Sequence, residues 1–208
     1  MKPKQDAWSI VLVGCWNRMI FMPTWVSEHL FGVSKIQKLV PIMPIAPLIY
    51  RTDELALFVE DEKLIVQARK PTIECIQKME HMAVTALDKL PITPVSAVGV
   101  NFGFVEATPS EQLLKLFNFG DDADIGLSRW DIGTRTLARQ LTRDKKVLNL
   151  KLSFDSKEVE IHANFHNDVA SASEASSAIN NNVVVYHQEC KELLAEVYAL
   201  RIEEDEKP

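Results

Sequence analysis

No stretch of 18 apolar residues occurs anywhere in this 208-residue chain, which excludes a helical membrane span. Cysteine is scarce. Cys15, Cys75 and Cys190 are odd in number, far apart and without a Cys-x-x-Cys pair. That excludes a disulfide framework and makes a reducing, cytoplasmic setting the expectation. Glycine stands at 7 and proline at 10, which excludes collagen-like and low-complexity chains. Motifs with specific chemistry are missing too: there is no Gly-x-Ser-x-Gly, Walker loop, dinucleotide fingerprint or His-Glu-x-x-His. Positive charge is in deficit, with 23 Lys and Arg against 29 Asp and Glu, so indiscriminate nucleic-acid binding is disfavoured.

What remains is an ordinary globular composition, 47% hydrophobic and 25% charged, in a chain long enough to fold without staples. The length fits one large domain or two small ones. The expectation is a single α+β domain over 1–202 and a disordered acidic tail at 203–208, which carries −3 of the net −6. Near the start, Leu12-Val13-Gly14-Cys15 follows two lysines and a short apolar run, as in a lipoprotein signal. The core-like residues Trp16, Met19, Ile20, Phe21 and Met22 follow it, so the reading preferred for residues 8–15 is a buried first strand.

Periodicity supplies most of the fold. Pro23-Thr24 opens a short helix that Gly32 closes, and three prolines make 40–50 an extended crossing. Residues 55–60 and 64–69 form a hairpin, followed by a helix from Pro71-Thr72 to Pro91. Val98, Val100, Phe102 and Phe104 alternate with Gly99, Asn101 and Gly103, which predicts a strand approached closely on its glycine side. Thr108-Pro109-Ser110-Glu111 predicts a helix capped by Thr108 and ending near Gly120. Asp121, Asp122 and Asp124 read as a turn. Segment 134–143 fits strand or helix. A second hairpin places Leu148, Leu150, Leu152 and Phe154 opposite Val159, Ile161, Ala163 and Phe165. A serine-rich link at 171–177 then leads into a helix over 175–201 with a regular apolar stripe, suited to the core or to a self-association seam.

Residues 55–68 lie over 150–163 without a gap, and a helix follows each. Either the chain repeats a hairpin-plus-helix unit, or two amphipathic hairpins share the same period-two pattern. The fold class is α+β: a mainly antiparallel sheet with long helices packed on one face.

Three constellations bear on function. His162, His166 and Asp168 suggest a metal, but on a strand the two histidine Cα atoms stand about 13 Å apart, too far for one ion. No metal and no cofactor are therefore expected. Arg129 to Lys151 carries +5 within an acidic protein. Arg135, Arg139 and Arg143 share one side in strand or helix, with Lys145, Lys146 and Lys151 close by. Arginine forks suit carboxylates and phosphates, so this patch engages a partner protein, a nucleic-acid backbone or the protein's own Glu158 and Glu160. His81 and His187 read as surface or core-edge groups, and Cys75 and Cys190 as buried small hydrophobes. The leading expectation is a non-enzymatic protein that binds another protein, as inhibitor, adaptor or assembly subunit, through a sheet face and the arginine patch. The competing expectation is an enzyme or small-ligand binder with a pocket at Asn101, His162 and His166. A third is nucleic-acid binding through the arginines. A homodimer is compatible with the first.

Overall fold

The computed structural model describes residues 1–34, 36–39 and 46–202. Ten strands form one antiparallel sheet: β1 (Lys2–Pro3), β2 (Trp8–Gly14), β3 (Gln37–Leu39), β4 (Leu48–Arg51), β5 (Leu55–Val59), β6 (Lys63–Ala68), β7 (Val95–Glu106), β8 (Arg135–Arg143), β9 (Lys146–Phe154) and β10 (Val159–Asp168). Their spatial order is β3-β4-β5-β6-β2-β7-β10-β9-β8, with β1 paired to the far end of β7. The helices are α1 (Pro23–Val26), α2 (Ile73–Lys89), α3 (Glu111–Leu114), α4 (Asp122–Leu127), α5 (Ala172–Ile179) and α6 (Val183–Tyr198). Among the described residues no helix is long and apolar enough to cross a membrane.

The α+β architecture follows from the strand alternation. Ile10, Leu12, Leu64, Val66, Val98, Val100, Phe102, Phe104, Leu150, Leu152, Ile161 and Ala163 are all buried on one face. Helices α2, α5 and α6 cover that face and complete a continuous apolar core. Burying one side of every strand and leaving the other wet is what period-two patterning encodes.

The chain traces the same path twice. Each half runs strand, helical segment, three-strand meander, helix: β2, α1, β4-β5-β6, α2, and then β7, α3-α4, β8-β9-β10, α5-α6. The hairpin registers coincide, since Val59 faces Leu64 and Phe154 faces Val159, each member 95 positions further on. The halves meet where β2 and β7 pair antiparallel, as a two-fold axis requires. Ala68 faces Trp8 and its counterpart Ala163 faces Phe102, so Trp8 and Phe102 are equivalent positions. They sit one step beyond the last ladder pair, Ser9–Asn101, with their rings 5.7 Å apart edge to face. The repeat is imperfect at the margins. In the first half β3 lies outside β4, whereas no strand lies outside β8 among the described residues.

Several local expectations need correction. The cap of α3 is Ser110, whose hydroxyl accepts from Leu113 N–H at 3.2 Å, while Thr108 bonds back to Glu106. The helix ends early because Lys115–Phe117 tightens into a 3₁₀ turn that buries Phe117 against Phe154. The acidic segment expected as a turn is α4, with Asp122 and Asp124 in the first turn where the helix dipole favours negative charge. Segment 134–143 is strand β8. Residues 48–50 join strand β4, and 40–45 of that predicted crossing lie outside the described residues, as does 203–208.

The serine-rich link is helix α5, capped by Ser171 through Glu174 N–H at 3.2 Å. The single helix over 175–201 is two helices, broken where Asn181 takes a left-handed φ of 60°. Its stripe runs through Ile179, Val183, Tyr186, Cys190, Leu194 and Tyr198, while Val197 is exposed. That stripe is consumed by the core and is not a free seam.

Arg143 and Lys146 close a two-residue hairpin in which Asp144 and Lys145 have φ of 50° and 67°. This is the type I′ geometry, which favours glycine at its second position. Lys145→Gly is expected to stabilise the fold by about 0.5–1 kcal/mol, since relief at positive φ outweighs glycine's chain entropy. Urea unfolding measures it, and a loss of stability in that variant would contradict the assignment.

Candidate functional site

The helix-free face of the second half gathers polar side chains that strand register brings into one row. Ser9, Asn101, Asn164, Asn149 and Gln140 stand directly opposite one another across β2, β7, β10, β9 and β8. Their amides bond in sequence. Gln140 Nε2 donates to Asn149 at 3.1 Å, Asn149 Nδ2 to Asn164 at 3.2 Å, Asn164 Nδ2 to Asn101 at 2.8 Å, and Asn101 Nδ2 to the Ser9 hydroxyl at 3.2 Å. Cross-strand polar pairs of this kind stabilise a sheet and fix its register. Asn101 Nδ2 also donates to the Ser9 carbonyl at 3.4 Å, so its N–H groups are both directed at Ser9, whereas Gln140, Asn149 and Asn164 each make one such donation within the row.

The four amides of the row form the floor of an open groove of about 410 Å³, lined also by Ala138, Arg139, Lys151 and His162. Beside it, Gly103 lies under the N-terminal segment. A Cβ there would meet Ala7 Cβ at 2.5 Å, which is the close backbone approach expected on the glycine side of this strand. Gly99 is approached by the Asn164 amide instead.

Of the predicted pocket residues, Asn101 and His162 line this groove, and His166 does not. His166 lies four positions beyond His162 on β10, opposite Gly99 and Val147, and contacts Asp168 at 3.0 Å. His162 contacts Glu160 at 3.4 Å, and Lys4 bonds the same carboxylate, holding Glu160 below its ordinary range. The two histidines therefore face separate acidic partners on one strand. Among the described residues no cluster of three His, Cys, Asp or Glu converges on a point suited to a metal ion.

The arginines also depart from expectation. Arg135, Arg139 and Arg143 share one side of β8, but it is the helix-bearing side, so their partners are not Glu158 and Glu160. Arg135 pairs with Asp122 of α4 at 3.3 Å. Arg143 at 3.1 Å and Lys146 at 2.6 Å share Glu189 of α6. Arg139 donates to the Tyr198 hydroxyl at 3.4 Å. Among the described residues Arg139, Lys145 and Lys151 have no carboxylate partner, so the margin of the sheet at β8 and β9 keeps a positive surplus. Between Arg143, Lys146 and Glu189, a small groove of about 140 Å³ opens onto Leu141, Leu148, Phe165 and Leu193.

The amide row escaped sequence reasoning. Asn101, Asn149 and Asn164 occupy outward positions of expected strands and Gln140 lies in the segment that fits strand or helix, but only the pairing of five strands aligns them with Ser9. A comparison with known protein families finds no family model that matches this chain, and a search of curated proteins finds no match.

Proposed function

We propose that this is a non-enzymatic protein that binds another protein through the open face and cationic margin of its second half. The observation that carries the reading is the uneven cover of the sheet: helices close one face, while the other presents a polar groove bordered by Lys151, and Arg139 adds its charge at the same margin from the helix side. The groove's floor consists of neutral amides, groups that recognise a surface through hydrogen bonds but do not ionise to serve as acid or base. The nucleic-acid reading loses support because Arg135 and Arg143 are already tied to carboxylates of the same chain. The enzyme reading loses one of its three pocket members with His166.

The test uses the cations that lack carboxylate partners, since replacing Arg135 or Arg143 also breaks an internal ion pair. Affinity capture from the native host with the wild-type chain is expected to retain a protein partner. The combined variant Arg139→Glu, Lys145→Glu, Lys151→Glu is expected to lose it while unfolding normally in urea. Retention of the same partner by that variant would overturn the proposal. Capture of nucleic acid that is released steeply by salt would replace it with the third reading.

A further inference from the structure

Among the described residues the margin of the sheet at β8 is paired on one side alone. Strand β8 is nine residues long and no strand or loop bonds to its far side among the described residues. The repeat shows what belongs there. Leu48 faces Val59 as Arg135 faces Phe154, so 136–138 of β8 stand where Ile49, Tyr50 and Arg51 stand in β4. In the first half those three positions are paired antiparallel by Leu39, Lys38 and Gln37 of β3. We propose that β8 accepts an extended segment of another protein as an additional antiparallel strand, with acidic and apolar side chains alternating along the side that faces the helices. This deepens the protein-binding reading and rests on it.

The register specifies the contacts. A type I′ turn makes Arg143 and Lys146 a hydrogen-bonded pair, so Arg135, Leu137, Arg139, Leu141 and Arg143 direct their backbone groups at β9. Thr136, Ala138, Gln140 and Thr142 therefore direct theirs outward, ready to bond an added strand. The side chains of the odd-numbered set project toward the helix layer. Acidic residues of the incoming strand fall opposite the arginines, and apolar ones opposite the half-buried Leu137 and Leu141. Arg139 has no carboxylate partner among the described residues, while Arg135 and Arg143 would be shared between the incoming carboxylates and their own partners, Asp122 and Glu189. The small groove at Leu141, Leu148, Phe165 and Leu193 takes an apolar side chain beside the cations.

Charge complementarity selects this occupant over a second copy of the chain. Two β8 strands in full antiparallel register place Arg135 opposite Arg143 and Arg139 opposite Arg139, which repel.

The probe is a fluorescent nine-residue peptide, Glu-Thr-Leu-Thr-Glu-Thr-Leu-Thr-Glu, with blocked ends. It is expected to bind the intact chain with a Kd on the order of tens of micromolar at low salt. Binding slows exchange of the Thr136, Ala138, Gln140 and Thr142 amides. The same peptide with lysine for glutamate binds at least about tenfold more weakly. Ala138→Pro removes an outward N–H and leaves the β9 ladder intact; it lowers affinity by about tenfold. Should that variant unfold, amide exchange in the wild-type chain decides alone.

No binding, or binding that protects amides elsewhere, overturns strand addition. So does dimerisation of the isolated chain, seen by light scattering and abolished by Ala138→Pro, since it names a second copy as the occupant. A captured partner that Ala138→Pro retains and the triple cation variant loses also overturns it, but leaves the broader protein-binding reading standing.

Discussion

Lowering the pH from 7 to 4 is expected to cost the folded chain about 3 kcal/mol through His187 alone. This residue of α6 is 5% exposed, and it packs among Trp8, Phe102 and Phe104 at ring distances of 4.8, 5.2 and 6.4 Å. Its Nε2 has no hydrogen-bond partner among the described residues. Burial, aided by Lys191 one turn away, lowers its pKa from 6.5 to about 4. The fold therefore prefers the neutral ring. Its contribution is fully present above 6.5 and is lost as pH falls toward 4, because the unfolded chain binds the proton first.

Glu160, held low by the Lys4 hydrogen bond, and Asp155, held low by the N–H groups of Glu158 and Lys157, add their losses only at the bottom of that window. Urea unfolding at pH 7, 5.5 and 4.5 reads the slope directly. His187→Leu keeps an apolar group in the site and removes the orphaned nitrogen, so it should flatten the slope and hold or raise stability at pH 7. An unchanged slope in that variant would remove His187 from the account. Sequence alone suggests a surface or core-edge group for His187. Its burial arises because α6 crosses the point where the two halves meet, beside the equivalent pair Trp8 and Phe102.

Glu80 carries the second large effect. It projects from α2 to the break between α5 and α6, where its two carboxylate oxygens accept from Asn181 N–H and Val183 N–H, each at 2.9 Å. The residue at the N-cap of α6, Asn182, makes no side-chain capping bond. A carboxylate from another helix therefore satisfies donors that a local cap ordinarily would, and it does so at the positive end of the helix dipole. Glu80→Ala is expected to destabilise the fold by about 2 kcal/mol, and Glu80→Gln by about half as much because one acceptor survives. Thermal or urea unfolding measures both. Amide exchange at Asn181 and Val183 should speed up in the alanine variant ahead of global unfolding. A loss below about 0.5 kcal/mol would show that the break is held by packing alone.

Hairpin β5–β6 and the β9–β10 pair were legible because alternation over a few residues is a local property, and so was α2 from its Thr72 cap to its end near Pro91. The 95-position offset between hairpins was visible in the sequence as a gapless match, and the registers make it a repeated unit. Less local features depart from the sequence pattern. Thr108 and Ser110 are both competent caps, and the choice turned on Thr108 finding Glu106. The three asparagines at 180–182 only lowered a helix propensity, because the acceptor that stabilises the break lies about a hundred residues away on α2.

The candidate site divides the same way. That Arg135, Arg139 and Arg143 share a side is fixed by spacing four, in strand or helix alike. Which side they share, and that Asp122, Glu189 and Tyr198 meet them there, depends on how helices far apart in the chain lie against β8. The outward placement of Asn101, Asn149 and Asn164 follows from each strand's own period. Their union in one hydrogen-bonded row needs five strands in register, and strand pairing is a contact between distant segments that no window of sequence contains. Sequence by itself determined the periods, the faces and the acidic balance, because those follow from bonded neighbours and side-chain chemistry. Tertiary structure decided the partners, since burial and hydrogen bonding across the sheet act between residues that only folding brings together.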